Sequence, residues 1–333
     1  MIFLTSNLAF SQGQLQQKLN QYKDSLPNYG IVALVDNGQK LDSASVGWAS
    51  RNNEITVANR FCIGSVTKMF TATVILMLHE DGLLSLTDSI GQYLPKHAFI
   101  DSSITIKQLL SHTSGLKDIV DAKLANRAFL DPYFDYSNAY LLRLIDSVEF
   151  EKGAKYQYSN TNYFLLKMIA EKVTDKPFES ILLERIINPL GLKNTFPYYA
   201  KSTPNMAHPI LGSQDLHSYP KRGDNQISVG LGNIVCTATD LNTFIRALFI
   251  EKRLLKDNTL AEMCAFAELG KTKVGLGVFA EEFGGKPFIG HTGRTISYIS
   301  YAFVNIETST SWVLLCNNVN DHYIDDLAEK LFE

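Results

Sequence analysis

Phe61-Cys62-Ile63-Gly64-Ser65-Val66-Thr67-Lys68 decides how the rest of the chain is read. Its first three residues have the texture of a short strand, and Gly64 permits a tight turn. Met69 to His79 is apolar on nearly every side, which predicts a buried central helix. Ser65 and Lys68 lie one helical turn apart, so both side chains project from one face. A hydroxyl is a poor nucleophile near neutral pH. A lysine made neutral by burial or by neighbouring cations can take its proton. Backbone N–H groups and the positive helix end beside Ser65 suit a developing oxyanion. The plainer alternative is that Ser65 only caps the helix.

The S-x-x-K pattern occurs at Ser65/Lys68, Ser114/Lys117 and Ser218/Lys221. Ser218-Tyr219-Pro220-Lys221 contains a proline that disfavours the helix needed to set the spacing. Ser114-Gly115-Leu116-Lys117 sits in a Thr/Ser/Gly turn. Context therefore favours Ser65.

Working outward, Ile31 to Val35 and Leu41 to Trp48 read as strands joined around Asp36-Asn37-Gly38, a hairpin signal. A polar helix over 13–25 precedes them. The central helix ends near Asp81-Gly82, and the texture from about 84 to 265 is mostly helical: 104–111, 137–148, 161–173, 177–188 and 238–250. Strands return at Val274 to Phe279, Phe288 to Gly290, Ile296 to Val304 and Ser311 to Cys316, before a last helix from Asp321 to Phe332. Strands at both ends and helices between predict an α/β (α+β) architecture, an antiparallel sheet flanked by helices with an inserted helical lobe. The expected lobes are 12–65 with 270–333 for the sheet and 66–269 for the helices, with a cleft between them.

The chain has 333 residues and a formal charge of -3, which argues against a nucleic-acid partner. No apolar run approaches the roughly 18–20 residues of an integral membrane segment. Cys62, Cys236, Cys264 and Cys316 lack the close pairing of zinc sites, and no metal or cofactor is expected. They read as buried small hydrophobes, with disulfides left open. Residues 1–11 resemble the end of a secretory signal, with Ala9-x-Ser11 as a cleavage site before Gln12. A periplasmic or secreted location is expected on that basis. The basic n-region is missing, so a frayed cytosolic tail is the alternative.

Two further motifs carry chemistry. Tyr-x-Asn occurs at Tyr136-Ser137-Asn138 and at Tyr158-Ser159-Asn160, the second in a glycine-led turn into helix 161–173. A phenol there can shuttle the serine proton if a nearby cation lowers its pKa, and the amide can bond a substrate carbonyl. The first copy reads as a cap of helix 137–148. His291-Thr292-Gly293 follows a strand, where glycine lets a ligand approach the backbone.

In this order the motifs resemble the serine β-lactamase and penicillin-binding superfamily, and most of all its class C β-lactamase-like branch, from about residue 27 onward. That branch includes D-Ala-D-Ala carboxypeptidases, D-aminopeptidases and esterases. Leu109 to Leu116, Asn188-Pro189-Leu190-Gly191-Leu192 and Gly230 to Leu241 also look like this family. The resemblance implies a β-lactamase/transpeptidase-like fold and a serine hydrolase forming an acyl-serine on an amide or ester. It implies Ser65 as nucleophile, Lys68 as its activating partner and Tyr158 as proton shuttle. Asn160 would bind the substrate amide. His291 and Thr292 would lie near a substrate carboxylate, and the N–H groups of Ser65 and Arg294, flanking Gly293, would form the oxyanion hole. Whether Lys68 or Tyr158 is the acylation base stays open.

Histidine at 291, where class C β-lactamases carry lysine, shifts the expectation towards a peptidase or esterase. The Arg294 guanidinium either binds a carboxylate or covers the cleft rim. His112 reads as structural. The substrate is expected to be a small molecule or peptide, with or without a carboxylate. The competing functions are a class C-type β-lactamase and a penicillin-sensing binding module with negligible turnover.

Overall fold

The computed structural model describes residues 13–26, 28–198, 203–270, 272–319 and 323–332, so the signal-like residues 1–11 lie outside the described residues. The chain opens with helix α1 (Gln14–Asn20), strands β1 (Gly30–Asp36), β2 (Leu41–Ser50), β3 (Asn53–Glu54) and β4 (Phe61–Cys62), and helix α2 (Thr67–Glu80). Helices α3 (Ile106–Leu110), α4 (Ala122–Leu130), α5 (Asn138–Arg143), α6 (Asn160–Thr174), α7 (Phe178–Leu182) and α8 (Asn188–Leu190) follow. Next come β5 (Ile210–Leu211), β6 (Gln214–Asp215), α9 (Arg222–Ser228), β7 (Val235–Cys236), α10 (Ala238–Phe249) and α11 (Asp257–Met263). Strands β8 (Ala267–Leu269), β9 (Thr272–Val274), β10 (Phe279–Phe283), β11 (Lys286–Arg294), β12 (Ile299–Asn305) and β13 (Thr310–Cys316) lead to α12 (Tyr323–Phe332).

A nine-stranded antiparallel sheet, in the order β3-β2-β1-β13-β12-β11-β10-β9-β8, joins the two ends of the chain. Alternation along its central strands loads both faces with apolar side chains. Val32, Leu34, Val304, Val313 and Leu315 face the large core that includes α2, α6 and α10. Ile31, Ala33, Val35, Phe303, Trp312 and Leu314 face a second core closed by Leu15 and Leu19 of α1 and Ile324, Leu327 and Leu331 of α12. Strands β12 and β13 are consequently buried at every position.

Helix α2 is buried from Thr67 to Leu76 and again at Leu78, as its all-round apolarity requires. Phe70 stacks on Phe244 of α10 at 3.6 Å, which ties the helix to a neighbour that itself packs on the sheet.

Several expectations needed correction. The strand expected over 274–279 is two strands, β9 and β10, separated by a turn through Gly275 and Gly277. The 137–148 helix stops at Arg143, and the 177–188 helix is interrupted by a π turn over Leu183–Ile187. Helices α4, α9 and α11 fall where the sequence reads as loop. His291, Thr292 and Gly293 lie inside β11 rather than after it. All four cysteines are free, Cys264 only half-buried.

Candidate active site

Ser65 sits in a 3-10 turn, Gly64–Val66, that feeds directly into α2. Two close approaches hold that turn against β11. A Cβ on Gly293 would meet the Ile63 carbonyl oxygen at 2.1 Å, and one on Gly64 would meet Arg294 N at 2.9 Å. Gly64 also has φ +51°. Ser300 Oγ of β12 donates to the Ile63 carbonyl at 2.6 Å, fixing the same contact from the neighbouring strand.

The register at this end of β11 aims a backbone donor at the turn. Thr295 N–H donates to Tyr298 O (2.9 Å), closing the β11–β12 turn. Arg294 opposite Ile299 is therefore a non-hydrogen-bonded pair, and its N–H points away from β12. On that side β10 has already ended, opposite Gly290. The Arg294 N–H thus faces the turn that carries Ser65, where Gly64 touches β11.

The polar atoms around Ser65 form one network. Tyr158 Oη donates to Ser65 Oγ at 2.8 Å. Lys68 Nζ lies 3.1 Å from Ser65 Oγ, 2.7 Å from Asn160 Oδ1 and 2.8 Å from the Leu231 carbonyl oxygen. Asn160 Nδ2 in turn donates to Asp118 Oδ2 at 2.8 Å. Lys68 is fully buried, and burial pushes its pKa down to about 7 against a smaller pull upward from Asp118. A neutral amine donates two hydrogens, to Asn160 and Leu231, and keeps its lone pair for the Ser65 hydroxyl proton. Tyr158 Oη then fills the acceptor side of Ser65 Oγ. Every proton in the network has a place with Lys68 neutral.

The phenol behaves differently from expectation. Burial raises the Tyr158 pKa, and the bond to Ser65 lowers it only in part. Lys68 Nζ lies 5.1 Å from the ring centroid, yet Tyr158 stays a proton donor. His112 stacks on the same ring at 4.4 Å, 27° from parallel. His112 Nδ1 accepts from Ser159 N–H at 3.2 Å, and burial drives its pKa well below the usual histidine value. The residue read as structural thus positions Tyr158.

His291 is buried beside Tyr158, with ring centroids 6.2 Å apart, and its Nδ1 bonds the Thr292 carbonyl. Burial, then the Lys68 charge, lowers its pKa to about 3. The ring is therefore neutral near neutral pH, whereas attracting a substrate carboxylate by charge would need the imidazolium. Thr292 is exposed on β11. One Arg294 guanidinium nitrogen donates to both carboxylate oxygens of Asp325 on α12, at 2.7 and 2.8 Å. Its charge is balanced at the rim. Asn160, expected to face the substrate, has both amide atoms engaged, on Lys68 and Asp118.

The other S-x-x-K copies take no part in the Ser65 network. Ser114 Oγ is buried and donates to Asn162 Oδ1 at 2.5 Å, while Lys117 pairs with Asp146 in solvent. Lys221 Nζ donates to the Leu216 carbonyl. Tyr136 is buried with its Oη on the Asp131 carbonyl at 3.0 Å. Sequence reasoning missed Asp118. Its one signal was a lone acid among apolar neighbours in Leu116-Lys117-Asp118-Ile119-Val120, and nothing in the spacing links it to Ser65.

Among the described residues no helix is long and apolar enough to cross a membrane. A D-stereospecific amidohydrolase from Streptomyces sp. superposes with a TM-score of 0.84 at 27% identity, covering 97% of this chain and 99% of that one. The D-amino acid amidase from Ochrobactrum anthropi SV3 gives 0.82 at 24% identity, covering 95% of this chain and 98% of its own. PbpX of Bacillus subtilis (strain 168) is 29% identical over 276 residues, 79% of this chain, which spans only 65% of that protein's length. The model of the beta-lactamase family matches residues 16–331, and the chain belongs to that family.

Proposed function

We propose that this protein is a serine hydrolase that cleaves an amide or ester through an acyl-Ser65 intermediate. The observation that carries the reading is the buried Lys68, with its pKa pushed down to about 7 and its amine 3.1 Å from Ser65 Oγ. Lys68 takes the hydroxyl proton as Ser65 Oγ forms its bond to the substrate carbonyl carbon. The carbonyl oxygen becomes an oxyanion facing the N–H groups of Ser65 and Arg294. As the carbonyl re-forms and the leaving group departs, Tyr158 Oη supplies its proton, and the proton held on Lys68 then restores the phenol, so that both groups end as they began. Water then attacks the acyl carbon with the same groups in reverse order, releasing the acid and free Ser65. The low pKa of the lysine and the raised one of the phenol favour Lys68 as the acylation base.

The two hydrolytic relatives, an amidohydrolase and an amidase by name, support an amide-cleaving activity. The test is labelling by a fluorophosphonate, with the modified peptide read by mass spectrometry. Ser65 is expected to carry the label, and Ser65→Ala to lose it together with turnover, by about 10³–10⁶-fold. Ser114→Ala and Ser218→Ala should keep it. Label on another serine would overturn the reading. A fluorescent penicillin that stays bound for hours, with no turnover of amides or esters, would favour the penicillin-sensing module, and rapid cephalosporin hydrolysis the β-lactamase.

A further inference from the structure

A cavity of about 240 Å³ opens beside Ser65, between α9 and the β11–β12 turn. Tyr158 does not line it. The leaving group must reach the Tyr158 hydroxyl to be protonated, so this cavity, on another side of Ser65, receives the acyl part. Its exposed wall is largely apolar, from Val120, Ile227 and Leu231, and among its polar lining, which includes Lys221 and Arg294, three side chains stand out. Asn233 is buried, and neither atom of its amide has a partner; the Ser297 hydroxyl is buried and equally unpartnered. Asp224 lines the same space and makes no ion pair among the described residues. Buried polar atoms without partners are costly, so an occupant that supplies partners is expected.

We propose that this cavity selects substrates whose acyl part carries a free amine, held as an ammonium by the Asp224 carboxylate with Asn233 Oδ1 and Ser297 Oγ as further acceptors. The proposal rests on the acyl-Ser65 reading above. An ammonium has three donors and no acceptor, which matches a carboxylate, an amide oxygen and a hydroxyl. The other charges nearby are accounted for: Arg294 is paired with Asp325, and Lys221 is buried with its Nζ on the Leu216 carbonyl. Burial raises the Asp224 pKa against the pull of Lys221, and an entering ammonium acts in the same direction as Lys221. On the leaving-group side the imidazoles of His112 and His291 are neutral. Together these features favour amino-acid amides or esters and the N-terminal residue of a peptide over substrates recognised by a C-terminal carboxylate.

The test compares both enantiomers of phenylalanine p-nitroanilide with their N-acetyl and N-succinyl forms, using the intact chain. Wild type is expected to prefer the free amine of one enantiomer over its acetylated form by about 10- to 100-fold in kcat/KM, the range of a charged hydrogen bond. Asp224→Asn should collapse that ratio, and Asp224→Glu should restore part of it. Fluorophosphonate labelling of Ser65 is run on every preparation. Loss of label in wild type would break the serine reading itself. A labelled wild type that cleaves the acetylated or succinylated form as well as the free amine, or cleaves no amine-bearing substrate, overturns the cavity assignment whatever the variants do. An unchanged ratio in Asp224→Asn does the same.

Discussion

Tyr136-Ser137-Asn138 and Tyr158-Ser159-Asn160 are the same tripeptide at the start of a helix, and both asparagines join a lysine to a carboxylate. Asn138 Oδ1 accepts from Lys167 Nζ at 2.9 Å, and its Nδ2 lies 3.5 Å from Glu171. Asn160 Oδ1 accepts from Lys68 Nζ at 2.7 Å, and its Nδ2 donates to Asp118 at 2.8 Å. The difference is in the lysine. Lys167 also touches Glu171 directly, at 2.9 Å, in an ordinary i,i+4 ion pair. Lys68 meets its acid only through the Asn160 amide, and desolvation outweighs the more distant charge. An amide spacer separates a structural ion pair from an amine that can act as a base.

The tyrosines diverge in the same way. Tyr136 Oη ends on a main-chain carbonyl among Phe134 and Tyr140, whereas Tyr158 Oη ends on a serine hydroxyl. Tyr158→Phe keeps the ring and its stack on His112 but removes the proton relay. Turnover is expected to fall by about 10²–10⁴-fold, the usual range for general acid–base groups. Tyr136→Phe should leave kcat/KM near wild type. Equal losses in the two variants would erase the distinction.

An antiparallel sheet built from both ends of the chain, the buried α2 and the Ser65/Lys68 pair were legible in the sequence, and the family resemblance implied Tyr158 and Asn160 beside them. Period-2 apolar strands flank a helix that is apolar all round, and a glycine stands at each close approach. What stayed hidden depends on three-dimensional surroundings. Asp118 reaches Lys68 only because the loop after α3 packs under α6. The charge state of His291 depends on burial that no spacing encodes. Arg294 is balanced by Asp325, 31 residues on, which only the packing of α12 against the sheet discloses. Helices α9 and α11, seven residues each, are too short to show a clear period, whereas α4 was missed despite an amphipathic pattern and an Asp121 cap.

The amide spacer can be tested by removing it. Asn160→Asp puts a carboxylate against Lys68, as Glu171 stands against Lys167, and should raise the lysine pKa. Protonated lysine cannot take the serine proton, so the acid limb of kcat/KM, expected near pH 7 in wild type, should move to higher pH. A lysine pKa higher by one lowers the rate on that limb about 10-fold. Asn138→Asp should leave the limb in place. An unmoved limb in Asn160→Asp would mean that burial alone sets the lysine, whatever lies beside it.

The smallest effect concerns the histidines that flank Tyr158, which among the described residues have no ring-contact counterpart at Tyr136. The folded-state pKa of His291 is depressed to about 3, below its unfolded value near 6.5, so the unfolded chain binds a proton that the folded one excludes. Its contribution to stability is complete above about pH 6.5 and is lost progressively as pH falls towards 3. His112 acts with the same sign. Removing one of the two, as in His291→Gln, should flatten the loss of Tm on acidification, by about 1 kcal/mol or roughly 2 °C near pH 5.5. The slope is the readout rather than the Tm itself, because the variant also changes packing at every pH. KM for anionic and neutral substrates should show no divergence between about pH 5 and 8 attributable to this ring. A wild-type KM that rises for anions alone across that range, together with an acid slope unchanged in His291→Gln, would mean that His291 is charged in the folded protein and that the two tyrosine environments differ in charge as well as in partners.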